Sequence, residues 1–350
     1  EEIFRKISKS ISTKKIKRYK AKDIIWLNSK NQISGERECI ICRRTDRLTE
    51  NDHCEICWAL EQMSAKIMEN KFFVVNKIKG TMSLPLPGDN YLTVEKDEKS
   101  VREWMDKEEY VRAYSKNMFY SGYSVATKLW IGDYQKENKY DFQKLAQDAQ
   151  GIQRIAVLRA DIDNLGEAFV SGFKNQENDN RYVTISRTAT FSRKLSLFFK
   201  YHVNHILKNG EFYLREKENK ERSAVVVYSG GDDLFIVGSW DDIIGFAVDL
   251  NNSLKKYTQG TLTISGGIGL YPSKYPIASM AKQTGKLENA AKELEGKNAI
   301  SLFDTRYTFH WDEFVDDIVQ DKFSLIKKYL ENFEKERGKA FLYRILSLIR

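Results

Sequence analysis

The sequence lacks any apolar run long enough to cross a bilayer, which needs roughly 18 consecutive apolar residues. We therefore predict no membrane partner. The opening Glu1-Glu2-Ile3 does not resemble a signal peptide. Cysteine is also scarce: the four cysteines stand in two close pairs rather than in a disulfide scaffold, a pattern typical of a soluble protein of the cytoplasm.

The charge that is present is concentrated at one end of the chain. The net charge is +8, and residues 1–37 hold eleven Lys/Arg against four Asp/Glu, which accounts for most of that excess. A basic end indicates either a polyanionic or acidic partner or a solvated helical face. With 350 residues, 41% of them hydrophobic, the chain is long enough for two or three domains with buried cores.

The two cysteine pairs predict a metal site. Cys39 and Cys42 form one C-x-x-C motif, and Cys54 and Cys57 form a second after eleven intervening residues. Two such turns can hold one Zn²⁺ in a closed tetrahedral site, and closed Cys₄ sites are normally structural. The short charged segment between them has almost no apolar core, so we expect it to need the metal to fold. His53 is left out because four thiolates already suffice.

The stretch VVVYSGGDDLFIVG at 225–238 predicts a β-hairpin with a carboxylate-rich tip. Gly230 and Gly231 permit a tight reversal between two apolar strands. Asp232 and Asp233 follow directly, and two adjacent carboxylates repel each other unless a cation shares them. An ordinary solvated turn is the alternative for the tetrapeptide alone.

A second carboxylate group upstream favours a two-metal site. The apolar run IAVLRA at 155–160 predicts a buried strand, and Asp161 and Asp163 follow it at once. A strand and a hairpin that both end in carboxylates are the arrangement of a metal-dependent nucleotidyl-transfer site, where Mg²⁺ or Mn²⁺ is shared with substrate phosphates.

The order of elements predicts the fold class, α+β with a ferredoxin-like βαββαβ palm of the polymerase or cyclase type. Right-handed crossovers would place the first strand beside the hairpin, and so bring the two carboxylate groups together. The expected elements are a strand at 155, a helix over 186–208, the hairpin, a helix over 241–257 and a strand over 262–270, followed by a helix over 277–294 and a strand over 299–303.

Further residues suit a nucleotide. Small residues in the strand at 263–269, among them Ser265 and Gly267, indicate close approach of a ligand or of another backbone. One or two of the lysines downstream could meet a triphosphate as point charges, and the rest are expected on a solvated face. These lysines are Lys282, Lys286, Lys292 and Lys297.

Two other sets of residues have ordinary structural explanations. Aromatic residues over 101–134 could stack on unpaired bases but are more typical of a core. His202 and His205 are expected at the polar edge of a packed helix.

Four stretches identify a family resemblance that covers nearly the whole chain. They closely resemble the large, polymerase-like subunit of type III-A CRISPR effector complexes, the Csm type, in which paired C-x-x-C motifs also precede this block. The stretches are ATKLWIGDY at 126–134, ADIDNLG at 160–166, TISRTATFSRKLSLFFK at 184–200 and YSGGDDLFIVGSWDDI at 228–243.

The resemblance implies an activity and partners. Such subunits convert ATP to cyclic oligoadenylates when the guide CRISPR RNA of the complex pairs with a target RNA, and they work with the other effector subunits. By position, Asp161, Asp232 and Asp233 would hold Mg²⁺ or Mn²⁺, with Asp163 as additional support. The residues implied around the nucleotide are Ser229, Gly230 and Gly231 at the hairpin, Asn164, Leu165 and Gly166 near the phosphates, and Lys297 at the triphosphate.

The resemblance also implies domain boundaries. We expect a basic linker over 1–38 from a region further upstream, a zinc element over 39–70, an aromatic-rich α/β linker region over 71–150, the second palm domain over 151–305 and the start of a helical domain over 306–350. Family members usually carry a His-Asp nuclease domain and a first palm, and the sequence has no His-Asp dipeptide. DNase activity is therefore not assigned, and we expect this chain alone to bind ATP weakly and to make little product.

Two alternative functions stay open at this point. One is a diguanylate-cyclase-like enzyme, whose GGDEF hairpin lies on a similar palm, although Asp233 stands here in place of the glutamate. The other is a catalytically silent scaffold or RNA-binding subunit. Four clustered carboxylates argue against a silent site, because they are costly without a cation.

Overall fold

The structure is a computed structural model that divides into two compact units. The first comprises Glu1–Ser115 and Ser121–Thr127, and the second comprises Lys116–Tyr120 and Lys128–Arg350. No described helix combines the length and the apolar composition that a membrane span needs. The structure describes residues 2–17, 19–29, 37–45, 48–49, 51–80, 83–119, 126–136, 141–174, 181–214, 219–331 and 344.

The described part of the first unit contains the cysteine pairs, four helices and most of a small sheet. Its sheet has the strand order β2-β3-β1-β4-β5, in which β1 pairs antiparallel with both β3 and β4. The elements are α1 (Glu2–Ile16), α2 (Ala21–Ser29), α3 (Glu55–Glu69), β1 (Phe72–Asn76), β2 (Leu84–Leu86), β3 (Asn90–Glu95), α4 (Glu98–Met105), β4 (Tyr110–Lys116) and β5 (Thr127–Leu129).

Helix α3 begins earlier than the pattern of apolar residues predicts. The apolar residues over 58–70 have the spacing of a short amphipathic helix, whereas α3 starts at Glu55 with Cys54 as its N-cap. The Cys54 sulfur accepts a hydrogen bond from the backbone N–H of Cys57, and so satisfies one of the donors left free in a first helical turn. The second C-x-x-C motif therefore lies on the first turn of a helix.

The second unit is built on a six-stranded sheet with the order β11-β10-β9-β6-β8-β7. The elements are α5 (Phe142–Gln147), β6 (Ile155–Ile162), α6 (Leu165–Ser171), α7 (Ile185–Leu197), a π-helical segment (Phe198–His202), α8 (Val203–Lys208), β7 (Ala224–Ser229), β8 (Asp233–Ser239), α9 (Trp240–Thr258), β9 (Ile264–Tyr271), α10 (Ile277–Glu293), β10 (Ala299–Leu302), β11 (Thr308–His310), a second π-helical segment (Glu313–Phe323) and α11 (Ser324–Glu331).

The four strands β9-β6-β8-β7 confirm the predicted ferredoxin-like βαββαβ arrangement, with β6 antiparallel to both of its neighbours. Strand β10 then extends the sheet by pairing parallel with β9, and β11 pairs antiparallel with β10. The first strand of the palm thus lies beside the hairpin, as right-handed crossovers predict.

Strand β6 is central because both of its faces are covered. Ala156 and Leu158 pack in one core with residues of α7, α8 and α9, whereas Ile155 and Val157 pack in a second core with residues of α5 and α10. All four side chains are fully buried, which explains why β6 reads as a continuous apolar run rather than an alternating one. A strand held on both faces gives the carboxylates at its end a fixed position.

The helix predicted over 186–208 is interrupted by the π-helical segment Phe198–His202. Such segments shift the hydrogen-bond register by one residue, which the spacing of apolar residues does not reveal. The helical region expected over 306–350 begins later than predicted, because Thr308–His310 first form strand β11 on the edge of the sheet. Phe314 and Ile318 then lie in the second π-helical segment. Four apolar residues that would continue the helical region, Phe341, Leu342, Ile345 and Leu348, lie outside the described residues.

Candidate active site

Two separate parts of the chain place carboxylates at one end of the palm sheet. In the strand register Asp161, near the end of β6, lies directly opposite Asp233, the first residue of β8. Asp232 precedes it in the hairpin turn, and its carbonyl accepts a hydrogen bond from the N–H of Ile162 at 3.3 Å. The predicted meeting of Asp161 with the GGDD hairpin is therefore present in the structure.

A lysine from α10 neutralises one of these carboxylates. The ammonium of Lys292 donates a hydrogen bond to Asp161 and lies 3.4 Å from Glu288 one turn earlier. Glu288 is nearly buried and also pairs with Arg159 at 3.0 Å. Burial lowers the pKa of Lys292, but the hydrogen bond and charge of Asp161, with those of Glu288, raise it above the ordinary lysine value. Lys292 is therefore a charged residue that two ion pairs fix at the edge of the site.

The surroundings of Asp232 disfavour the charged form of its carboxylate. Burial raises its pKa above the ordinary aspartate value, and the charges of Asp161 and Asp233 raise it further, against a smaller lowering by Lys292. Lys292 offsets only part of the charge of Asp161, Asp232 and Asp233, so among the described residues the site retains an excess of negative charge. Their oxygens are the donors that Mg²⁺ and Mn²⁺ prefer, so the donor set fits a divalent metal.

The three carboxylates lie at the same end of the sheet, but their oxygen atoms do not form a compact cluster of metal ligands. Among the described residues, the group of three or more His, Cys, Asp or Glu ligand atoms lying within 4.8 Å of one another is the cysteine quartet, not the aspartates. An open arrangement of this kind suits an ion that takes part of its coordination from a substrate's phosphates.

The two hairpin glycines have different roles. A Cβ added to Gly230 would lie 2.4 Å from Asp233 Oδ1 and 2.5 Å from the Tyr228 hydroxyl, so a larger residue would push the ends of these two side chains aside. A Cβ on Gly231 would meet nothing within 4 Å. The N–H of Gly230 donates to the Asp233 carbonyl at 2.8 Å and closes the turn. Gly230 therefore positions Asp233, whereas Gly231 leaves the outer surface open.

Asp163 faces inward instead of joining the other carboxylates. It is 4% exposed, and its Oδ2 accepts hydrogen bonds from the Thr263 hydroxyl at 2.8 Å and the Asn298 N–H at 3.1 Å. Its Oδ1 is buried and has no hydrogen-bond partner among the described residues. Asp163 thus anchors the loop between α10 and β10 to the end of β6.

That loop presents Lys297 to the same end of the sheet. Lys297 and Asn298 both have positive φ angles, 53° and 49°, a conformation that non-glycine residues seldom adopt. The Lys297 ammonium donates to Asn164 Oδ1 at 2.6 Å, and Asn164 itself has a φ of 53° as it precedes α6. Leu165 and Gly166 form the first turn of that helix. Asn164 and Lys297, both predicted at the nucleotide, are therefore in direct contact.

Three residues predicted around the nucleotide contact other parts of the fold, with Ser265 and Gly267 buried and Ser229 half-buried. The Ser229 hydroxyl donates to the Phe199 carbonyl in the π-helical segment. Ser265 is fully buried and accepts from the Ala299 N–H at 3.3 Å. A Cβ on Gly267 would lie 2.4 Å from the Glu288 backbone nitrogen, so this glycine admits helix α10 and not a ligand. For these positions, the close approach of another backbone explains the small residues.

A cavity of about 540 Å³ adjoins Asp163 and Asn164. Its apolar part comes from Phe173, Phe191 and Leu262, and Thr263 adds a polar side chain beside Asp163. A volume of this size is within the range of small-molecule sites. The cavity lies beside the end of β6 that carries the carboxylates.

The four cysteines form a separate cluster in the first unit. Their sulfur atoms all lie within 4.8 Å of one another, with Cys42 and Cys54 3.6 Å apart. The N–H of Cys42 lowers the pKa of Cys39 to about 6, whereas burial and the neighbouring thiols raise that of Cys57 to about 12. Four sulfur atoms this close together fit one cation that binds all four of them, as in a closed zinc site.

The histidines are engaged elsewhere. His53 Nδ1 lies 2.8 Å from the Asn51 carbonyl and its Nε2 lies 3.4 Å from Glu61, which agrees with leaving it out of the cysteine site. His202 packs against the rings of Phe198 and Tyr257, and burial lowers its pKa. In the described residues neither His202 nor His205 belongs to a metal-ligand cluster.

Sequence reasoning offered Lys292 as one of four lysines and overlooked Glu288 and Arg159. A signal was present, because Glu288 and Lys292 are spaced i, i+4 with the acidic residue first, the orientation that favours a helical ion pair. The contact between Lys292 and Asp161 joins residues 131 positions apart, so no local pattern indicates it.

Residues 154–301 match the family model of the second palm domain of Cas10/Cmr2. A relative from Mycobacterium tuberculosis, named CRISPR system single-strand-specific deoxyribonuclease Cas10/Csm1 (subtype III-A), is 41% identical over 99% of this chain and 43% of its own length. The chain therefore spans less than half the length of the curated relatives it matches.

Two solved structures are similar in fold. One is a Csm1–Csm4 cassette in complex with pppApApA, with a TM-score of 0.53 and 25% identity, covering 68% of this chain and 33% of that one. The other is a Csm1–Csm4 cassette in complex with cA3, with a TM-score of 0.56 and 22% identity, covering 75% of this chain and 38% of that one. The second likeness concerns the fold alone.

Proposed function

We propose, since the chain belongs to the Cas10/Csm1 family of type III-A CRISPR systems, that its palm domain joins ATP molecules into oligoadenylates and closes them into rings. The observation that carries the proposal is the register that sets Asp161 of β6 opposite Asp233 of the hairpin, with Asp232 adjacent. The reaction needs no side-chain nucleophile. A ribose 3′-oxygen bonds to the α-phosphorus of another ATP, and the bond to the departing pyrophosphate breaks.

Asp161, Asp232 and Asp233 are the residues that would hold Mg²⁺ or Mn²⁺, because their oxygens suit these ions and leave an excess of negative charge. The ions, when bound, would lower the pKa of the 3′-hydroxyl and stabilise the negative charge on the leaving pyrophosphate. Asp163 differs from these three, since both the Thr263 hydroxyl and the Asn298 N–H already bind its inward carboxylate. We assign it a positioning role for the loop that carries Lys297.

The chain's own cations would receive the triphosphate. Lys292 lies beside the carboxylates and reduces the repulsion that a polyphosphate meets there. Lys297, held at Asn164, offers a second ammonium near the cavity beside Asp163. That cavity is large enough for a nucleoside, and its two phenylalanines supply an apolar surface.

The choice of ATP and of an adenylate product rests on the comparisons. A neighbour of the same fold binds pppApApA and another binds cA3, a linear and a cyclic adenylate. Both neighbours are Csm1–Csm4 assemblies, so we propose that this chain works with the other type III-A subunits, with guide and target RNA acting through the complex. Zn²⁺ at the cysteine quartet is proposed as a structural metal.

The test is mass spectrometry of the products after incubation with ATP or GTP and Mg²⁺ or Mn²⁺. The chain alone is compared with the chain assembled with its type III-A subunits, guide RNA and target RNA. We expect cyclic oligoadenylates from the assembly, little product from the chain alone, and none from an assembly with Asp232→Asn/Asp233→Asn. A cyclic guanylate product would favour the cyclase-like alternative, and no product from an intact assembly would favour a scaffold.

Deoxyribonuclease activity is not part of this proposal. The relatives' names state it for proteins more than twice this chain's length. The chain contains no His-Asp dipeptide, which is the motif that the family resemblance associates with that activity.

A further inference from the structure

The loop over 296–298, which carries Lys297, has three consecutive residues in the left-handed region. The φ angles of Gly296, Lys297 and Asn298 are 80°, 53° and 49°. Glycine adopts this conformation readily, whereas the Cβ atoms of the other two residues crowd the backbone. Strained residues persist where the surrounding structure holds them, and they are common at ligand sites. We call residues 296–298 the lysine loop.

The end of β6 holds the lysine loop from the inside of the sheet. The N–H of Asn298 donates to the buried Asp163 Oδ2 at 3.1 Å. The ammonium of Lys297 donates to Asn164 Oδ1 at 2.6 Å. These contacts bind one N–H and one side chain of the loop, and they leave its carbonyl groups for other partners.

The edge of the sheet supplies those partners. His310 is the last residue of β11, and its Nδ1 lies 3.0 Å from the Lys297 carbonyl oxygen. A carbonyl can only accept, so Nδ1 must carry the hydrogen of this bond. The N–H of the next residue, Trp311, donates to the Asn298 carbonyl at 3.1 Å. Both carbonyl groups of the strained pair are therefore bound by consecutive residues.

His310 reaches the lysine loop from an anchored position. Trp311 is 2% exposed, and its indole N–H donates to the Ile264 carbonyl at the start of β9 at 2.8 Å. The register pairs His310 with Ala299, the residue that directly follows the loop. His310 itself is exposed, so its ring contributes little to the core. Its contact with Lys297 is therefore the specific one that the fold gives it.

We propose that His310 is a positioning residue for Lys297. Its Nδ1–H fixes the Lys297 carbonyl, and so keeps the lysine loop in the conformation that directs the ammonium towards Asn164 and a nucleotide triphosphate. The inference rests on the proposed nucleotide site and adds the residue that orients its second cation. Strand β11 lies outside the βαββαβ core of the palm, and this contact gives it a role in the site.

Hydrogen exchange of the 350-residue chain without nucleotide tests the contact itself. His310→Ala should increase the exchange rate of the Asn298 amide about threefold or more, because one hydrogen bond that holds the loop is lost. His310→Asn should restore the rate, since its amide nitrogen takes the place of Nδ1. The matched control is His310→Gln, whose amide lies nearer the place of Nε2 and should not restore it. Equal exchange rates in all four proteins would overturn the proposal.

Calorimetry with α,β-methylene-ATP and Mg²⁺ tests whether the contact acts through Lys297. The analogue cannot release pyrophosphate, so binding to the chain assembled with its type III-A subunits, guide RNA and target RNA is measured without turnover. Lys297→Gln should weaken binding about tenfold, and His310→Ala about threefold. In the Lys297→Gln background, His310→Ala should cause no further loss. His310→Asn should bind as the unsubstituted protein does, and His310→Gln should not.

The outcomes separate this proposal from the proposed function. A further loss on adding His310→Ala to Lys297→Gln would overturn the positioning role, because the ring would then contact the nucleotide itself. Unchanged binding by His310→Ala, with Lys297→Gln weakened, would overturn it as well, and so would an unsubstituted assembly that does not bind the analogue. An assembly that binds the analogue but makes no cyclic product from ATP would contradict only the proposed synthase.

Discussion

The cysteine quartet and the carboxylate site both present groups that suit cations, but they differ in how many of the metal ligands the chain itself supplies. The four sulfur atoms lie within 4.8 Å of one another and three of the four cysteines are buried. The carboxylates come from two separate strands, and one of them is paired with Lys292. The chain alone supplies a full ligand set in the first case and part of one in the second.

The difference in the number of ligands fits the different metals proposed for the two sites. Four thiolates saturate Zn²⁺, so no position is left for a substrate and the metal serves the fold. Carboxylates that stay open and carry an excess of charge can accept an ion together with the phosphates of ATP. The comparison therefore distinguishes the proposed structural zinc from the proposed catalytic metal by the geometry of their ligands.

The largest expected effect is on the closed site. Cys57→Ser should remove zinc from the purified chain and unfold the segment around residues 39–57, because structural zinc contributes about 10–16 kcal/mol of binding free energy in small zinc peptides. Metal analysis with hydrogen exchange of these amides measures both effects. The matched control is His53→Ala, which should keep its zinc because the ring contacts Asn51 and Glu61 instead. Zinc retained by Cys57→Ser would contradict a four-thiolate site.

The second effect concerns how the open site is positioned. Gly230→Ala should destabilise the second unit by about 1 kcal/mol, the low end for overpacking, because the new Cβ would push aside the Asp233 carboxylate and the Tyr228 hydroxyl, which are the ends of side chains. Gly231→Ala is the matched neighbour and should change stability little, because its Cβ meets nothing within 4 Å. Chemical denaturation measures both. Equal losses would mean that the hairpin tip is not shaped around Asp233.

A smaller effect tests whether Lys292 competes with a metal. Lys292→Gln should raise the Mn²⁺ affinity of the nucleotide-free chain by up to about fivefold, because a partly exposed ion pair contributes roughly 0.2–1 kcal/mol. The same variant should weaken ATP binding. Titration calorimetry follows both, with Lys282→Gln as a control on the exposed face of α10. An unchanged Mn²⁺ affinity would show that the metal does not share Asp161 with the lysine.

The smallest effect is the pH dependence of Asp232. Its pKa is raised in the folded state, so its contribution destabilises the fold at neutral pH and disappears as the pH falls below the ordinary aspartate range. Asp232→Asn should therefore raise the melting temperature slightly at pH 7 without metal and leave it unchanged near pH 3. Thermal melts at the two pH values decide this. A stabilisation of equal size at both would assign the effect to something other than charge.

Much of the candidate site was predictable because its residues are close in sequence. The GGDD turn, the strand before Asp161 and the two C-x-x-C motifs are local patterns, and the order of strands then implied that β6 lies beside the hairpin. The inward turn of Asp163 was not predictable, because its carboxylate meets Thr263 and Asn298, 100 and 135 residues away. The contact of Gly267 with helix α10 was not predictable either, since a glycine in a strand can make room for a ligand or for a packed helix.

Local patterns of residues, and the order of those patterns along the chain, were enough to predict the donor types, the cysteine spacing, the palm topology and the family resemblance. The packing of the helices was needed to show that Lys292 pairs with Asp161 and that Ser229 turns to the π-helical segment. These features depend on how α7 and α10 pack across the sheet. Packing joins residues that no spacing rule connects.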